Sequence, residues 1–379
     1  MTPSESSRKD RPSLSLKGEG SLKSPARATR AIRLGPLTIG GGQPIVVQTM
    51  TNTSSTDVEA TLKQIGDCKA RGAEVVRLAV PDERAAHIFK EIASQSPLPL
   101  VADIHFDYRL ALIVLKGGAA GLRLNPGNIG GADKIVKVAE AAGKCGAAIR
   151  VGVNGGSLDK KIKSLYGHGP EAMVQSALEQ VRIIEQTGFR DIKVSLKSSE
   201  VNLTVAAVNL FSNLSDLPQH LGITEAGDAK SGAVRSAVAL GILLSQGLGD
   251  TIRVSLTAPP TEEVDCAWEI LRSLDLRRRG PRFISCPTCG RCQIDLEKLS
   301  KEVKERLSDL QAPLTVAVMG CVVNGPGEAS MADVALAGGR GKGRIFVKGR
   351  PVGTYPSEQL ASQLEKEARG LAALWTGDD

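Results

Sequence analysis

The sequence contains few aromatic residues and no long apolar run. Phe, Trp and Tyr together make up 3% of the 379 residues, so the core must be built from Val, Ile, Leu and Ala. No segment offers the roughly 18 consecutive apolar residues of a transmembrane helix, and the N-terminus lacks the apolar centre of a signal peptide. We therefore expect a cytoplasmic protein without a membrane partner.

The cysteine content and the charge narrow the class further. Seven cysteines in a large chain that is expected to be cytoplasmic argue against a disulfide framework. Three of them, Cys68, Cys145 and Cys266, stand alone in helical contexts, as packing thiols do. The net charge of +7 permits nucleic acid, but no basic run is interleaved with aromatic residues, so no such partner is expected. The same charge suits a small molecule that carries several phosphates.

Short β-branched runs alternate with amphipathic stretches between residues 32 and 272. The eight candidate strands are 45–48, 74–78, 98–103, 121–125, 148–151, 191–196, 221–224 and 251–255. Helices are predicted between them, for example over 57–71 and 170–186. This alternation indicates an α/β fold with a parallel sheet, and eight repeats favour a (β/α)8 TIM barrel over an open sheet. No G-x-G-x-x-G follows the first strand, which disfavours dinucleotide binding.

The chain divides into four predicted segments. They are a disordered tail over 1–29, the barrel over 30–272, a linker over 273–281 and a smaller α+β domain over 282–379. The linker contains the charge run 277–281, which is expected to be solvated. The elements predicted for the second domain are a helix over 295–310, strands over 314–319, 332–336 and 344–352, and a helix over 357–374.

Polar residues cluster at the ends of the predicted barrel strands, which converge on one face in this fold. They are Arg77, Asp103, His105, Arg123, Asn125, Arg150, Asn154, Lys197, Glu225, Arg253 and Ser255. Five are cations from five strands, and burying so many like charges requires a neutralising anion. Arginine suits phosphate oxygens, so the predicted ligand is small and carries more than one phosphate. The alternative is a set of structural ion pairs with Asp103, Glu225 and helix charges.

Two cysteine segments lie in the second domain. The first is Cys286-Pro-Thr-Cys289-Gly-Arg-Cys292, and the second places Cys321 seven residues before Glu328. Four thiolates fit a closed zinc site, whereas C-x-x-C-x-x-C also serves a cubane iron–sulfur cluster. Glu328 would add an oxygen ligand that a closed zinc site does not need. The pattern therefore leans towards iron–sulfur while spacing alone leaves both open.

Longer motifs resemble one enzyme family over residues 30–375. The cysteine segments, with Gly320-Cys321-Val-Val-Asn324-Gly-Pro-Gly-Glu328, resemble the cluster domain of bacterial 4-hydroxy-3-methylbut-2-en-1-yl diphosphate synthases. The barrel motifs that resemble the same family are Gln48-Thr-Met-Thr-Asn52, Asp103-Ile-His105-Phe, Arg123-Leu-Asn125-Pro-Gly-Asn128, Arg150-Val-Gly-Val-Asn154-Gly-Gly-Ser157, Ser195-Leu-Lys197 and Thr224-Glu225-Ala-Gly.

The resemblance implies an activity and a cofactor. It implies a [4Fe-4S] cluster held by Cys286, Cys289 and Cys321, with Glu328 on the fourth iron. The implied reaction is the two-electron reductive ring opening of 2-C-methyl-D-erythritol 2,4-cyclodiphosphate with loss of water, the penultimate step of the non-mevalonate isoprenoid pathway. Flavodoxin or ferredoxin would donate the electrons. The family's second domain resembles the cluster domain of sulfite reductases, and its homodimers place one subunit's cluster over the other subunit's barrel.

The resemblance also implies residue roles and contains one departure. The five cations would bind the diphosphate together with Ser255, the Asn side chains, Asp103 and His105. The expected catalytic residues are Glu328, Glu225 and Asn324, with Glu225 handling a proton. Cys292 stands where the family usually has a non-cysteine residue, often Thr, and is therefore expected to be a bystander.

Two other interpretations remain open from the sequence. A barrel transferase acting on a pterin or corrinoid, with a zinc-stapled accessory domain, would share the Asn- and Asp-lined mouth but would not need five strand-end cations. A zinc-bearing nucleic-acid-binding protein would use the basic charge, but its cations should form one stripe rather than occupy separate strand ends.

Overall fold

The computed structural model describes residues 24–125, 129–321 and 325–376, which form a barrel and a smaller second unit. Each unit has its own sheet and its own apolar core. None of the helices in these ranges is both long enough and apolar enough to span a bilayer.

Eight parallel strands form the barrel near the positions predicted from the sequence, although the last two, predicted over 221–224 and 251–255, have only two residues each. The strands of this unit are β1 (Ile32–Leu34), β2 (Leu37–Ile39), β3 (Val46–Met50), β4 (Val75–Val80), β5 (Leu100–Ile104), β6 (Gly121–Leu124), β7 (Ala148–Asn154), β8 (Ile192–Lys197), β9 (His220–Leu221) and β10 (Thr251–Ile252). The sheet order is β8-β7-β6-β5-β4-β3-β10-β9. A bridge between Val194 and Gln219 joins β8 to β9 and closes the ring. The predicted α/β barrel is confirmed.

Helices follow the strands and cover the outside of the barrel. They are α1 (Val58–Arg71), α2 (Glu83–Gln95), α3 (Tyr108–Lys116), α4 (Ala132–Cys145), α5 (Lys160–Tyr166), α6 (Pro170–Glu185), α7 (Val201–Ser212), α8 (Ala229–Ser245) and α9 (Pro260–Ser273). Local sequence sets their ends. Asp57 accepts a hydrogen bond from the Ala60 N–H at the start of α1, and Gly72 ends that helix with a φ of 103°.

The floor of the barrel is closed by a hairpin that the sequence did not predict. Side chains alternate between the inside and the outside of a strand, and the outward ones pack against the helices. At the amino ends of the strands, Val46, Val75 and Val101 point inward and pack against residues of β1 and β2. Each hairpin strand has only three residues, which is too short to give a readable alternation.

Residues 24–30 are held against the barrel, so the predicted tail of 1–29 is too long. The Ser24 N–H donates to the Ser245 carbonyl at 2.9 Å, and the Arg27 N–H donates to the Gly247 carbonyl at 2.9 Å. The Arg27 guanidinium also donates to the Leu217 carbonyl at 2.8 Å. Composition does not reveal this docking because its acceptors are backbone carbonyls, which every sequence provides.

The second unit is an α+β domain, as predicted. Its elements are β11 (Arg282–Ser285), α10 (Leu296–Arg306), β12 (Thr315–Met319), α11 (Gly325–Met331), β13 (Val334–Gly339), β14 (Lys342–Val347), β15 (Arg350–Pro356) and α12 (Leu360–Ala372). The sheet order is β11-β12-β13-β14-β15, with β11, β12 and β13 parallel. One predicted strand, 344–352, is wrong because Lys348 and Gly349 adopt positive φ values of 48° and 75° and turn the chain between β14 and β15.

The charge run between the two units is anchored rather than solvated. Arg277 donates to Glu74 at 2.7 Å, and its guanidinium lies 4.7 Å from the centre of the Trp268 ring. The Arg279 guanidinium lies 5.8 Å from the centre of the same ring. Of the three arginines, Arg278 is exposed. The expectation of a solvated linker is therefore wrong for Arg277 and Arg279.

Candidate active site

The barrel gathers the five predicted cations in its interior. Arg123 and Lys197 lie at or next to the carboxyl ends of their strands, whereas β4 continues for three residues beyond Arg77 and β7 for four beyond Arg150, because both strands run further than predicted. Arg77 lies on β4, and Arg253 directly follows β10. The other three, Arg123, Arg150 and Lys197, lie on β6, β7 and β8 with only 5%, 2% and 6% of their surface exposed. Arg123 pairs in register with Asp103 on one side and with Arg150 on the other. Convergence of these side chains follows from the strand positions that the sequence predicted.

Asp103 on β5 holds two of the arginines. Its carboxylate lies 3.4 Å from Arg123 Nη1 and 3.9 Å from Arg77 Nε. Arg123 Nη1 also contacts His105 Nε2 at 2.8 Å. Burial alone would raise the pKa of Asp103, but Arg77, the hydrogen bond from His105 and Arg123 outweigh it and keep this pKa well below its usual range. Asp103 is therefore ionised and orients both guanidinium groups.

A second buried carboxylate, Glu263 on α9, was missed from the sequence. It accepts two hydrogen bonds from Arg253 Nη2 at 3.0 and 3.2 Å and one from Arg253 Nε at 3.2 Å. Glu263 belongs to a helix and lies ten residues from its partner, so no strand-end pattern marks it. Its hydrogen bonds correct the sequence-based expectation that Asp103 and Glu225 are the acids among these cations.

Arg150 and Lys197 have no carboxylate partner within the described part of the chain. Two nitrogens of Arg150, Nε and Nη1, are buried without any hydrogen bond there. Burial and then the charge of Arg77 lower the pKa of Arg150. Burial and then Arg150 likewise lower the pKa of Lys197. An anion placed between these two side chains would offset both the burial of their positive charges and the repulsion between them.

The charge balance of the mouth favours an anionic ligand. Structural ion pairs account for Arg77 and Arg123 through Asp103, and for Arg253 through Glu263. They do not account for the two remaining cations. The alternative of purely structural pairing therefore explains only part of the cluster.

The uncharged residues predicted for the mouth lie around these cations. Asn125 directly follows β6 and donates to Ser157 Oγ at 3.2 Å. Asn154 ends β7, and Ser255 lies three residues after β10; both are half-buried. The His105 side chain is 42% exposed, and the centre of its ring lies 6.0 Å from that of Phe106, which is exposed and adopts a positive φ of 65°.

One layer deeper, the barrel interior contains polar residues that were not predicted. Lys193 lies two positions before Ser195 on β8 and pairs in register with Arg150. Its Nζ atom is buried without a hydrogen bond among the described residues. Burial and then Arg150 lower the pKa of Lys193 to about 7. The alternation that placed Lys197 inside the barrel also places Lys193 there, so a signal for this residue was present in the sequence.

Glu225 occupies the exposed rim rather than the buried cluster. It follows β9 and adopts a left-handed backbone with φ of 54°. Gly222 in the same segment has φ of 157°, and a Cβ there would lie 2.6 Å from Lys197 Nζ. A Cβ there would also clash with the carbonyl oxygen of Arg253, a backbone atom that cannot move aside, so glycine is required where the chain passes Arg253.

The cysteine segments meet at one edge of the second sheet. Because β11 and β12 are parallel neighbours, the loops that follow them lie side by side. These loops carry Cys286 and Cys321, and the Gly320 N–H donates to Cys286 Sγ at 3.2 Å. Glu328 is half-buried on α11. Asn324 lies outside the described residues.

The three cysteines of the first segment differ in their surroundings. Cys289 is exposed, and hydrogen bonds from the Arg291 backbone and side chain lower its pKa, which favours the thiolate. Cys292 instead donates to the Ile294 carbonyl at 3.3 Å, and a Cβ on Gly320 would lie 2.4 Å from its sulfur. Cys292 therefore packs against the backbone of the second segment, in keeping with a bystander role.

The cysteine side chains do not converge as ligands of a single ion do. In the described ranges, which include every cysteine, no group of three or more His, Cys, Asp or Glu side chains could hold one metal ion. A cubane with four irons separates its ligands more widely than one zinc ion does, since each thiolate binds a different iron. The loops that carry Cys286 and Cys321 lie side by side, and Cys289 is exposed with a lowered pKa, so these residues offer thiolate donors of the type that either group requires.

The fold and the site define a class: an α/β protein with a closed barrel, a cation-rich mouth and a cysteine-bearing second unit. Comparison with protein families gives the particular family. The model of the GcpE TIM-barrel domain matches residues 29–268, and the model of the GcpE protein C-terminal domain matches residues 282–370. The chain belongs to the GcpE family.

Curated relatives resemble nearly the whole chain. A protein of Lawsonia intracellularis is 57% identical over 349 residues, which covers 92% of this chain and 97% of the relative. A protein of Geobacter sulfurreducens is 54% identical over 346 residues, with 91% and 98% covered. Both are named 4-hydroxy-3-methylbut-2-en-1-yl diphosphate synthase (flavodoxin). The family resemblance drawn from the sequence motifs is confirmed.

Among solved structures, a dihydropteroate synthase from Stenotrophomonas maltophilia shares the barrel fold. The TM-score is 0.50 at 14% identity, and the match covers 66% of this chain and 97% of that chain. At this identity the likeness concerns the fold alone.

Proposed function

We propose that this chain opens the ring of 2-C-methyl-D-erythritol 2,4-cyclodiphosphate reductively and forms 4-hydroxy-3-methylbut-2-enyl diphosphate and water. Two electrons and a proton enter, in a step of the non-mevalonate isoprenoid pathway. The observation that carries the proposal is the surplus of buried positive charge at the barrel mouth, where Arg150 and Lys197 lack a carboxylate within the described residues. The names of the family relatives support the same substrate chemistry.

The barrel residues bind the diphosphate and orient the reacting carbon. Arg77 and Arg123 are held by Asp103 before the ligand arrives, so little side-chain entropy is lost on binding. The phosphates would offset the mutual repulsion of Arg150 and Lys197, which together with burial lowers the pKa of both side chains. The remaining donors are His105, Asn125, Asn154, Arg253 and Ser255. Binding energy from the diphosphate positions the part of the molecule that reacts.

The second unit would hold a [4Fe-4S] cluster through Cys286, Cys289 and Cys321, with Glu328 as the displaceable fourth ligand. Support comes from the shared sheet edge, the N–H donated to Cys286 Sγ and the lowered pKa of Cys289. When bound, such a cluster supplies electrons and a Lewis-acidic iron. This sheet edge would make the unit similar to the cluster domain of sulfite reductases.

Proton handling is assigned to side chains at the rim. Glu225 lies exposed beside the segment that passes Lys197, where it can donate a proton to a leaving oxygen. Glu328 and Asn324 complete the proposed catalytic set. The proposed domains are residues 30–272 for substrate binding, with residues 24–29 docked against them, 273–281 as the linker and 282–379 for the cluster.

The proposed partners are flavodoxin, as in the names of the relatives, or ferredoxin, together with a second copy of this chain. Support for a homodimer comes from α8, where Val234, Val238 and Ile242 are 61%, 48% and 38% exposed and repeat every fourth residue. Such a stripe is apolar surface that a second copy would cover. We place this enzyme in the cytoplasm.

The proposal is tested with anaerobically purified protein. It should be brown, and with reduced flavodoxin it should convert the cyclodiphosphate to 4-hydroxy-3-methylbut-2-enyl diphosphate, as followed by mass spectrometry. Reactions without flavodoxin are the control. A brown protein that binds the substrate but releases no product would contradict the reaction, and a colourless protein filled with zinc would contradict the cofactor.

A further inference from the structure

Glu263 is the buried acid of the mouth for which the proposed chemistry gives no role. It is 4% exposed and lies near the start of α9, outside the strands that carry the cations. Besides Arg253 it accepts from Thr49 Oγ1 at 3.0 Å and from the Leu256 N–H at 3.1 Å. One carboxylate therefore joins β3, the segment after β10 and α9.

We propose that Glu263 is a positioning residue of the diphosphate site, which fixes the orientation of Arg253 and the backbone beside Ser255. The inference rests on the proposed function, because the diphosphate is the ligand that these two residues would meet. Glu263 lies on a helix and does not itself reach the substrate, so the inference adds a positioning residue to the proposed function.

The hydrogen-bond pattern determines which side of Arg253 faces the ligand. Glu263 accepts from Nε and Nη2, the two nitrogens on one edge of the guanidinium plane. Nη1 then forms no hydrogen bond to the described residues and remains for a phosphate oxygen. An arginine fixed by a side-on carboxylate presents a defined donor, whereas a free arginine samples many rotamers.

The contact with Leu256 extends the same control to the backbone. The Leu256 N–H follows Ser255 directly, so a fixed Leu256 amide limits where the Ser255 hydroxyl can lie. Arg253 and Ser255 are two residues apart after the end of β10 and thus lie on the same side of an extended chain. Glu263 would set both donors at once.

Charge gives Glu263 a second effect on the site. Its carboxylate pairs with Arg253 and offsets that positive charge, which otherwise adds to the repulsion at Arg150 and Lys197. Replacing the acid by an amide removes this charge and also points an N–H group towards Arg253 or Leu256. Arg253 would then turn away from its present orientation.

The test is a double-mutant cycle on substrate affinity. The dissociation constant of the cyclodiphosphate is measured by anaerobic calorimetry on cluster-loaded wild type, Glu263→Gln, Arg253→Met and the double variant. Each single change should weaken binding by about tenfold, and the double variant by clearly less than the roughly hundredfold of additive effects, because Glu263 acts mainly through Arg253 and only its contact with Leu256 remains to add to the loss. Iron content should be equal in all four proteins.

A matched control separates positioning from stability. Glu74 also accepts from an arginine, Arg277, and from a backbone N–H, that of Val47, at 2.7 and 2.8 Å, but it precedes β4 at the opposite end of the barrel. Glu74→Gln should lower the melting temperature without changing the dissociation constant more than about twofold. If Glu263→Gln does not fold, Glu263→Asp keeps the charge while its shorter side chain loses reach, and intermediate weakening is expected.

The outcomes distinguish this inference from the proposed function. Wild type that fails to bind the cyclodiphosphate would remove the proposed function and the inference with it. Wild type that binds, with Glu263→Gln binding equally well, would overturn the inference alone. Additive losses in the double variant would also overturn it, since they would show that Glu263 does not act through Arg253.

Discussion

The barrel mouth and the cysteine edge are positioned in different ways. In the mouth, Arg77, Arg123 and Arg253 lie on or beside strands, and a buried carboxylate holds each of them. At the cysteine edge, Cys286 is half-buried in a loop, Cys289 is exposed, and Cys321 borders residues outside the described part of the chain. We infer that the mouth is shaped by the fold alone, whereas the cysteines take their final arrangement from the cofactor that they bind.

The largest expected effect comes from the cysteine edge. Cys321→Ser removes a thiolate that the proposed cluster needs, so turnover should fall by about a thousandfold or more. Iron analysis and visible absorption should show the loss of the cluster, and far-ultraviolet circular dichroism should show that the barrel remains folded. Retained iron together with full turnover would contradict the ligand set.

Lys197→Met tests the barrel mouth, where it should weaken substrate binding but stabilise the protein without substrate. The substrate should bind about a hundredfold more weakly because a phosphate loses its cation. The melting temperature without substrate should rise by a few degrees, since a buried cation without a carboxylate partner in the described residues is replaced by an apolar side chain. Calorimetry and thermal unfolding measure the two effects. An unchanged KM and kcat would rule out a phosphate-binding role for Lys197.

Lys193→Met tests whether burial of the Lys193 amino group inside the barrel makes the free energy of unfolding depend on pH. Its pKa is lowered to about 7 in the folded protein, whereas an unfolded chain keeps the proton up to about pH 10. Between these values the unfolded state binds more protons, so the free energy of unfolding should rise with pH by up to about 1.4 kcal/mol per pH unit. Urea unfolding from pH 7 to 10 measures the slope.

The variant should flatten this slope, because its side chain no longer titrates. Lys116→Met, which changes an exposed lysine at the end of α3, is the control and should leave the slope as in wild type. The same slope in wild type and Lys193→Met would show that Lys193 is charged in the folded protein throughout this range.

The smallest effect is expected for Cys292→Ser. Its sulfur donates to the Ile294 carbonyl and packs against Gly320, and a hydroxyl can replace that donor. Iron content and turnover should stay within about twofold of wild type. Loss of the cluster would show that Cys292 is a ligand. The site would then have four cysteine ligands, and their spacing fits zinc as well as an iron–sulfur cluster.

The same two regions show what a sequence can predict. Arg77, Arg123 and Arg150 were found because they lie near the ends of predicted strands whose carboxyl ends must converge in a parallel barrel, although β4 and β7 continue past Arg77 and Arg150. Glu263 was missed because its importance depends on how α9 packs over β3, which no local pattern records. Cys292 has the same spacing to Cys289 as Cys289 has to Cys286, so spacing does not separate the predicted bystander from the predicted ligands, and only the family resemblance distinguished it in the sequence. Short strands such as β1 and β2 carry too few residues to be recognised.

The most direct test of the account is the affinity of cluster-free protein for the cyclodiphosphate. Wild type is stripped of iron with a chelator under anaerobic conditions, and calorimetry compares it with the cluster-loaded protein. If the fold itself holds the mouth in place, the dissociation constants of the two forms should lie within about tenfold of each other. Lys197→Met should bind the cyclodiphosphate more weakly in both forms. Loss of all measurable binding on removal of the cluster would contradict the claim that the barrel mouth is formed before the cofactor binds.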